Sequence, residues 1–288
     1  MATKVLRTVE EAQRYGAAAC REGKRLALVP TMGFLHEGHL SLMREARRRA
    51  DQGGKRGLSL ATIFVNPTQF GPGEDLARYP RDLEGDLEKC GQAGVDLVLA
   101  PEDPRAVYPP GFQTWVEVEE VSKGLCGDRR PGHFRGVATV VAKLFGLSRP
   151  HVALFGEKDW QQLQVLRRMA VDLDMGVEVV GMPIVREADG LAMSSRNAYL
   201  TADERGRAVA ISRALVEAQR RAGQGERDPE ALSRGIRAGL EAAGVRVDYV
   251  EIVDPTRLRP VERAVPGTRA LVAAFLGRTR LIDNVALP

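Results

Sequence analysis

A chain of 288 residues, of which 44% are hydrophobic and 28% charged, is long enough for two globular domains. It has no apolar run near the roughly 20 residues that span a bilayer, no apolar leader at its N-terminus, and only three scattered cysteines. We therefore expect a reduced, cytoplasmic protein without a membrane anchor. The net charge of +4 does not indicate a nucleic-acid partner, because arginines alternate with acidic residues along predicted helices, as on salt-bridged solvated faces.

To about residue 180, short apolar strands alternate with amphipathic helices. Strands are predicted at LALVP (26–30), LATIFV (60–65), VDLVLAP (95–101), HVALF (151–155) and VEVVGMPIV (177–185). Helical periodicity covers 40–50, 82–93, 137–146 and 159–173. Uniformly apolar strands between helices indicate a parallel sheet with both faces covered, that is, a doubly wound, Rossmann-like α/β domain. In such sheets, ligands bind beyond the carboxyl ends of the strands.

The order of elements changes after residue 184. Two long helices are predicted at 202–221 and 229–243, and strands follow at 246–254, 270–277 and 279–285. Helices first and strands later indicate a smaller α+β domain. We therefore predict two domains, 1–184 and 185–288, of which the second covers the strand ends of the first.

The first of these strand ends carries the sequence PTMGFLHEGHL, residues 30–40. A helix that begins near Gly38 or His39 offers free N–H groups and a partial positive charge to an anion. His36 and His39 share one helix face, so both can donate hydrogen bonds to a phosphate, and Gly33 permits close approach to the backbone. Two alternatives are open here: a structural turn with surface histidines, and a zinc site. Zinc-binding helices, however, pair histidines four apart and need a third ligand.

Neutral amides follow the next strand, at Asn66 and Gln69 in NPTQF, with Tyr79 further along. Amides can hydrogen-bond both a hydroxyl and a carboxylate, which suits a small hydroxy acid. Asn66 before a proline is equally explained by ordinary turn chemistry. Gln69 precedes a Gly-Pro-Gly segment, residues 71–73, which we expect to be a mobile flap over the site.

Two later loops carry groups that suit phosphate. In HVALFGEKDWQQL, Gly156 leaves space, Lys158 supplies a point charge and Gln162 lies one turn into the next helix. Asp159 is either a ligand or a helix N-cap. In READGLAMSSRNAYL, two serines precede Arg196, and this combination offers several donors to a phosphate. The alternative for that loop is a turn capped by a serine.

Together these segments resemble the nucleotidyltransferase superfamily that includes the class I aminoacyl-tRNA synthetases. Within it, the chain is similar to the pantothenate synthetase family, in order and over almost its whole length, at PTMGFLHEGHL, IFVNPTQF, YPRDLEGDLE, GHFRGVATVV, LFGEKDWQQL, READGLAMSSRNAYL and DYVEIVDP. The resemblance implies that ATP and pantoate form a pantoyl adenylate and release pyrophosphate. The amine of β-alanine then takes the pantoyl group, giving pantothenate and AMP. The resemblance also implies Mg²⁺ dependence and a homodimer.

The resemblance further implies roles for individual residues. His39 is the expected proton donor, and His36 and Lys158 act with it on the phosphates. Gln69 and Gln162 are expected to bind pantoate, with Gln69 also near β-alanine. The expected ATP site comprises Met32, Gly33, Phe34, Leu35, His36, Glu37, Gly38, His39, Gly156, Glu157, Lys158, Asp159, Val185, Met193, Ser194, Ser195 and Arg196. Arg130 and His133, in RRPGHFRG, are expected near the site without an assigned role.

One departure from the family pattern concerns the metal. Some family members have consecutive acidic residues where this chain has Gly85 and Asp86, which leaves Asp86 as the expected Mg²⁺ carboxylate.

Two rival functions stay open. An adenylyltransferase would use the same histidines without passing an adenylate to an amine, but such enzymes are typically shorter and lack the NPTQF and EKDWQQL pair. An RNA-binding module would need a basic patch interleaved with aromatic residues, which make up only 5% of this chain.

Overall fold

The structure, a computed structural model, describes residues 3–288 and contains two β-sheets. The strands are β1 (Lys4–Leu6), β2 (Leu26–Thr31), β3 (Leu58–Ile63), β4 (Leu97–Leu99), β5 (Val152–Gly156), β6 (Glu178–Met182), β7 (Arg246–Val253), β8 (Arg269–Leu276) and β9 (Thr279–Ala286). The first six form one parallel sheet in the order β1-β4-β3-β2-β5-β6. The last three form an antiparallel sheet in the order β7-β8-β9.

The α-helices pack against these two sheets. They are α1 (Val9–Arg21), α2 (Glu37–Ala50), α3 (Leu83–Gln92), α4 (Leu125–Arg129), α5 (His133–Ser148), α6 (Trp160–Asp172), α7 (Ala202–Gly223) and α8 (Pro229–Ala242). None of the helices within residues 3–288 is both long and apolar enough to cross a membrane.

The predicted fold class is confirmed: a doubly wound parallel sheet precedes a small antiparallel sheet with its own helices. Three elements, β1, α1 and the five-residue α4, were not predicted. The strand has only three residues, and the buried face of α1 consists of Ala12, Gly16 and Ala19. α1 is amphipathic, but its buried face has no large apolar side chain, and large apolar residues mark the helices that were predicted.

The topology brings the predicted strand-end motifs together. β2 pairs with β3 on one side and with β5 on the other, so the strand order reverses between β2 and β5. A crevice forms at such a reversal, beyond the carboxyl ends of the strands. The turns that follow β2 and β5 enter this crevice, and the segment after β3 lies beside them.

The two sheets share part of their packing. Apolar clusters cover both faces of the parallel sheet, and another lies between α7, α8 and the antiparallel sheet. Tyr249, Val253, Leu271 and Ala273, from β7 and β8, belong to the same cluster as residues of α5 and α6. The second sheet therefore packs against the first and completes its core.

Candidate active site

A cavity of about 790 Å³ lies between the carboxyl ends of β2, β3 and β5 and the antiparallel sheet. Most of the residues predicted for the site line it, namely Met32, His36, Gly38, His39, Gln69, Gly156, Lys158, Asp159, Gln162, Val185, Met193, Ser194, Ser195 and Arg196. Arg130 and His133 line it as well. Among the predicted residues, those that do not line it are Gly33, Phe34, Leu35, Glu37, Asp86 and Glu157.

A buried carboxylate holds the turn between β2 and α2. Asp86, in α3, is 1% exposed and accepts hydrogen bonds from the backbone N–H groups of Phe34 and Leu35, each 2.7 Å long. Gly33 and Phe34 both have positive φ, 85° and 50°, which is strained for phenylalanine. The two charge-assisted hydrogen bonds offset that strain.

These contacts do not support the prediction that Asp86 binds Mg²⁺. Both of its oxygens accept from the backbone of the turn, and the side chain does not line the main cavity. The sequence could not distinguish the two roles, because the partners of Asp86 lie about fifty residues away along the chain.

The two histidines have the same tautomer. His36 is the N-cap of α2, and its Nδ1 accepts from the N–H of Gly38 at 3.1 Å. The Nδ1 of His39 accepts from the N–H of His36 at 3.3 Å. A ring nitrogen that accepts a hydrogen bond carries no proton, so each neutral ring holds its proton on Nε2. The ring centroids lie 4.1 Å apart.

The electrostatic surroundings keep both rings neutral. Burial lowers the pKa of His36 to about 4, with a further contribution from the charge of Lys158. Burial also lowers the pKa of His39 well below its usual value, and His36 and Lys158 act in the same direction. Each ring can therefore offer an Nε2–H donor to a ligand in the cavity, and two donors on one helix N-terminus suit an anion.

The antiparallel sheet holds the turn that carries Lys158. Asn284, in β9, donates from Nδ2 to the carbonyl oxygens of Glu157 and Lys158, at 2.9 and 3.0 Å. Arg269, in β8, forms an ion pair with the Glu157 carboxylate at 3.0 Å. Within residues 3–288, no carboxylate lies within ion-pair distance of Lys158, and burial lowers its pKa. An anion entering the cavity would meet this desolvated ammonium group directly.

The two glutamines predicted to bind pantoate both face the cavity. The Oε1 of Gln69 accepts from Asn66 at 3.0 Å. Among the described residues, its Nε2 donates only to the sulfur of Met32, a weak acceptor, at 3.1 Å. The side chain of Gln162 makes no hydrogen bond to any residue in the described part of the chain. Both amides therefore keep hydrogen-bonding capacity for a ligand.

The serine-rich loop contacts the turn after β2 and an acidic residue, Asp75, that follows the glycine-rich segment 71–73. Ser195 donates to the carbonyl oxygen of Phe34 at 3.2 Å. Arg196 donates two hydrogen bonds to Asp75, each 2.9 Å long, and its guanidinium lies 5.8 Å from the ring of Tyr79. A phosphate that binds Arg196 must either share the guanidinium with Asp75 or displace the Asp75 carboxylate from it.

The sequence allowed a purely structural role for Ser194, Asn66 and Asp159, and the contacts of these three residues differ. Ser194 caps its turn, because its Oγ accepts from the N–H of Arg196 at 3.2 Å. Asn66 accepts from the N–H of Thr68 at 3.4 Å, as turn chemistry predicts. Asp159 occupies the N-cap position of α6 but makes no capping hydrogen bond in the described part of the chain, and it lines the cavity instead.

Some residues that shape the site were missed from the sequence. Asn284 and Arg269 lie on strands of the other sheet, and nothing in their local sequence indicates that they reach Glu157. Asp75 follows the glycine-rich segment 71–73, and nothing in its local sequence indicates that it pairs with Arg196.

The fold and the site define an α/β enzyme with an anion-binding cleft at the switch point of its parallel sheet. A model of the family "Pantoate-beta-alanine ligase" matches residues 4–286, and the chain belongs to this family of enzymes that join pantoate to β-alanine.

Curated and solved relatives agree with this assignment. The chain is 68% identical to the pantothenate synthetase of Anaeromyxobacter dehalogenans, with 100% of each chain covered. A crystal structure of pantothenate synthetase from Thermus thermophilus superposes with a TM-score of 0.92 at 47% identity, covering 99% of this chain and 100% of the other. A pantoate-beta-alanine ligase from Francisella tularensis, complexed with beta-gamma ATP and beta-alanine, gives a TM-score of 0.81 at 28% identity, covering 99% and 98%.

Proposed function

We propose that this cavity activates pantoate with ATP as an enzyme-bound pantoyl adenylate, releases pyrophosphate, and passes the pantoyl group to β-alanine. The observation that carries the proposal is a convergence in one cavity. The cavity is lined by two imidazole N–H donors, a lysine and two glutamines. The lysine is desolvated and has no ion-pair partner within residues 3–288, and both glutamine amides have spare hydrogen-bonding capacity. The first three groups suit a triphosphate, and the amides suit a hydroxy acid.

The chemistry explains why both substrates must meet in one cavity. A carboxylate does not acylate an amine unaided, because its oxygen is a poor leaving group. When the pantoate carboxylate attacks the α-phosphorus of ATP, an O–P bond forms and pyrophosphate leaves. The amine of β-alanine then attacks the acyl carbon, loses a proton and expels AMP. Negative charge grows on phosphate oxygens in the first step, so fixed donors there lower the barrier.

The nucleotide is assigned to the helix N-terminus of α2 and the turn after β5. His36 and His39 donate from Nε2–H, and Lys158 supplies the positive charge. With pKa values this low, both histidines enter the reaction as neutral hydrogen-bond donors. The role of His39 as proton donor, which the family resemblance implies, requires that bound triphosphate first raise its pKa. The nucleotide and β-alanine in the Francisella tularensis structure support this use of the cavity.

Pantoate is assigned to the part of the cavity between Gln69 and Gln162. Its carboxylate and hydroxyl groups suit the two amides, and its two methyl groups need an apolar wall. Val137, Val140 and Val141, on one side of α5, line the cavity and supply such a wall. Holding the acid between two strand ends would place its carboxylate against the α-phosphate, and orientation of this kind contributes directly to rate.

The described residues do not form a cage of protein ligands for Mg²⁺, an ion that is usually held by one or two carboxylates together with substrate phosphates. Residues 3–288 contain no cluster of three or more histidine, cysteine or acidic side chains that could bind a metal, and both oxygens of Asp86 accept from the backbone. We therefore derive no step of the mechanism from Mg²⁺.

Two further features belong to this proposal. We take residues 1–184 as the catalytic domain and 185–288 as the covering domain. The contacts of Asn284 with Glu157 and Lys158 support a site to which both domains contribute residues. We also propose a homodimer, as the family resemblance implies, which light scattering on the purified protein would test.

Exchange of labelled pyrophosphate into ATP tests the proposed order of steps. The exchange should require pantoate and proceed without β-alanine, because the adenylate forms before the amine acts. Exchange without pantoate, or only after β-alanine is added, would contradict the order. An adenylyltransferase acting on a different acceptor would show no pantoate-dependent exchange at all.

A further inference from the structure

Arg130 and His133 have no assigned role, yet both contact the backbone of Gln69. His133 is the first residue of α5 and is 8% exposed. Its Nδ1 lies 2.8 Å from the carbonyl oxygen of Gln69. A carbonyl oxygen can only accept, so Nδ1 carries the proton, and Nε2 accepts from the guanidinium of Arg130 at 3.0 Å.

The charges around His133 keep it in this one state. Burial and the guanidinium of Arg130 lower the pKa of His133 to about 3, so the ring is neutral near neutral pH. Arg130 also donates to the carbonyl oxygen of Gln69 at 3.3 Å and to both oxygens of Glu74, at 2.8 and 2.6 Å. The carbonyl of Gln69 therefore receives two donors, and Glu74 neutralises the arginine.

The backbone of α5 supports the same turn. A Cβ atom added at Gly136 would lie 2.4 Å from the carbonyl oxygen of Thr68, so no side chain fits between helix and turn. Asn66 donates to the carbonyl oxygen of Gly136 at 3.2 Å. The backbone around Gln69 is thus fixed on several sides, whereas within residues 3–288 the side-chain amide donates only to the sulfur of Met32.

We propose that His133 and Arg130 are positioning residues, which hold the Gln69 carbonyl and thereby aim its carboxamide at the acid substrate. The inference rests on the proposed function, in which Gln69 binds pantoate. It explains why a buried, neutral histidine and a neutralised arginine line this part of the cavity.

The test compares three replacements of His133. His133→Phe keeps a ring and removes both hydrogen bonds. His133→Asn keeps an amide donor near the position of Nδ1. His133→Gln places its amide oxygen near the position of Nε2, as an acceptor for Arg130, and carries its NH2 donor beyond the position of Nδ1. Misplacement of a binding group by about 1 Å costs on the order of 10²-fold in rate. We expect the Phe and Gln variants to raise the KM for pantoate about 10- to 100-fold. ATP affinity, measured by calorimetry, should be unchanged in all three, and the Asn variant should recover most of the loss.

A double-mutant cycle with Gln69→Ala separates positioning from direct contact. If His133 acts through Gln69, His133→Phe should add nothing to the loss already caused by Gln69→Ala. Additive losses, or a normal pantoate KM in the Phe variant, would overturn the inference. If the Phe variant does not fold, the Asn and Gln variants decide, and equal pantoate KM values for these two would refute it. Normal pantoate use by Gln69→Ala itself would instead refute the proposed role of Gln69.

Discussion

Gln161 and Gln162 are adjacent in α6 and offer a matched pair of substitutions. Gln161 is 4% exposed; its Oε1 accepts from the N–H of Cys126 at 3.0 Å, and its Nε2 donates to three carbonyl oxygens of the segment 121–124. Gln162 faces the cavity and has no hydrogen-bond partner within residues 3–288. Replacement by leucine keeps the approximate volume of either side chain and removes its donor and acceptor.

The two replacements should therefore have opposite consequences. In Gln162→Leu, a buried polar group of pantoate loses its partner, which costs about 1–3 kcal/mol, or roughly 5- to 150-fold in kcat/KM for pantoate. The free energy of unfolding should hardly change, because no bond within the protein is lost. In Gln161→Leu, several buried carbonyl and N–H groups lose their partner, so the free energy of unfolding should fall by about 2–4 kcal/mol.

Steady-state kinetics with pantoate varied, calorimetric titration of ATP and urea denaturation would measure these effects. ATP affinity should be the same in Gln162→Leu and in the unsubstituted enzyme, because the phosphate donors lie on other elements. A Gln162→Leu variant that loses ATP affinity but handles pantoate normally would refute the assignment of this residue to the acid pocket. If both leucine variants lost stability equally, the contrast between adjacent glutamines would be wrong.

The remaining predictions concern the residues that we assign to the phosphates of ATP. Nitrogen-15 NMR of the free enzyme should show His36 and His39 as neutral Nε2–H tautomers. The pKa of His36 is lowered from 6.5 to about 4, so between these pH values the folded chain binds fewer protons than the unfolded chain. The free energy of unfolding should therefore decrease, through His36, as the pH falls through this window. An imidazole of either residue that titrates near 6.5 would contradict this. Asn284→Leu should slow pyrophosphate exchange about 10- to 100-fold, because it loosens the turn that carries Lys158. The melting temperature should change little, because the substitution also removes an Oδ1 that is buried without a partner in the described part of the chain. Unchanged exchange would show that the turn does not depend on Asn284.

The fold class and the polar groups at the strand ends of the cavity follow from local sequence. Apolar strands that alternate with helices favour a parallel sheet with both faces covered, and the carboxyl ends of such strands meet at one edge. Residues directly after those strands, such as His36, Gln69 and Lys158, are therefore identifiable as a group from their positions in the chain. Local order is enough for this, because each residue is placed by the strand immediately before it.

How these residues are held, and in which protonation state, depends on tertiary contacts. The tautomers of His36 and His39 depend on two backbone hydrogen bonds, and their lowered pKa values depend on burial. Asp86 was expected to bind a metal, but its partners are backbone N–H groups of a turn from a distant part of the chain. Asn284 reaches the turn of Lys158 from another sheet. Hydrogen bonds across such separations carry no periodic signal in the sequence, because they depend on how the packed elements meet in space.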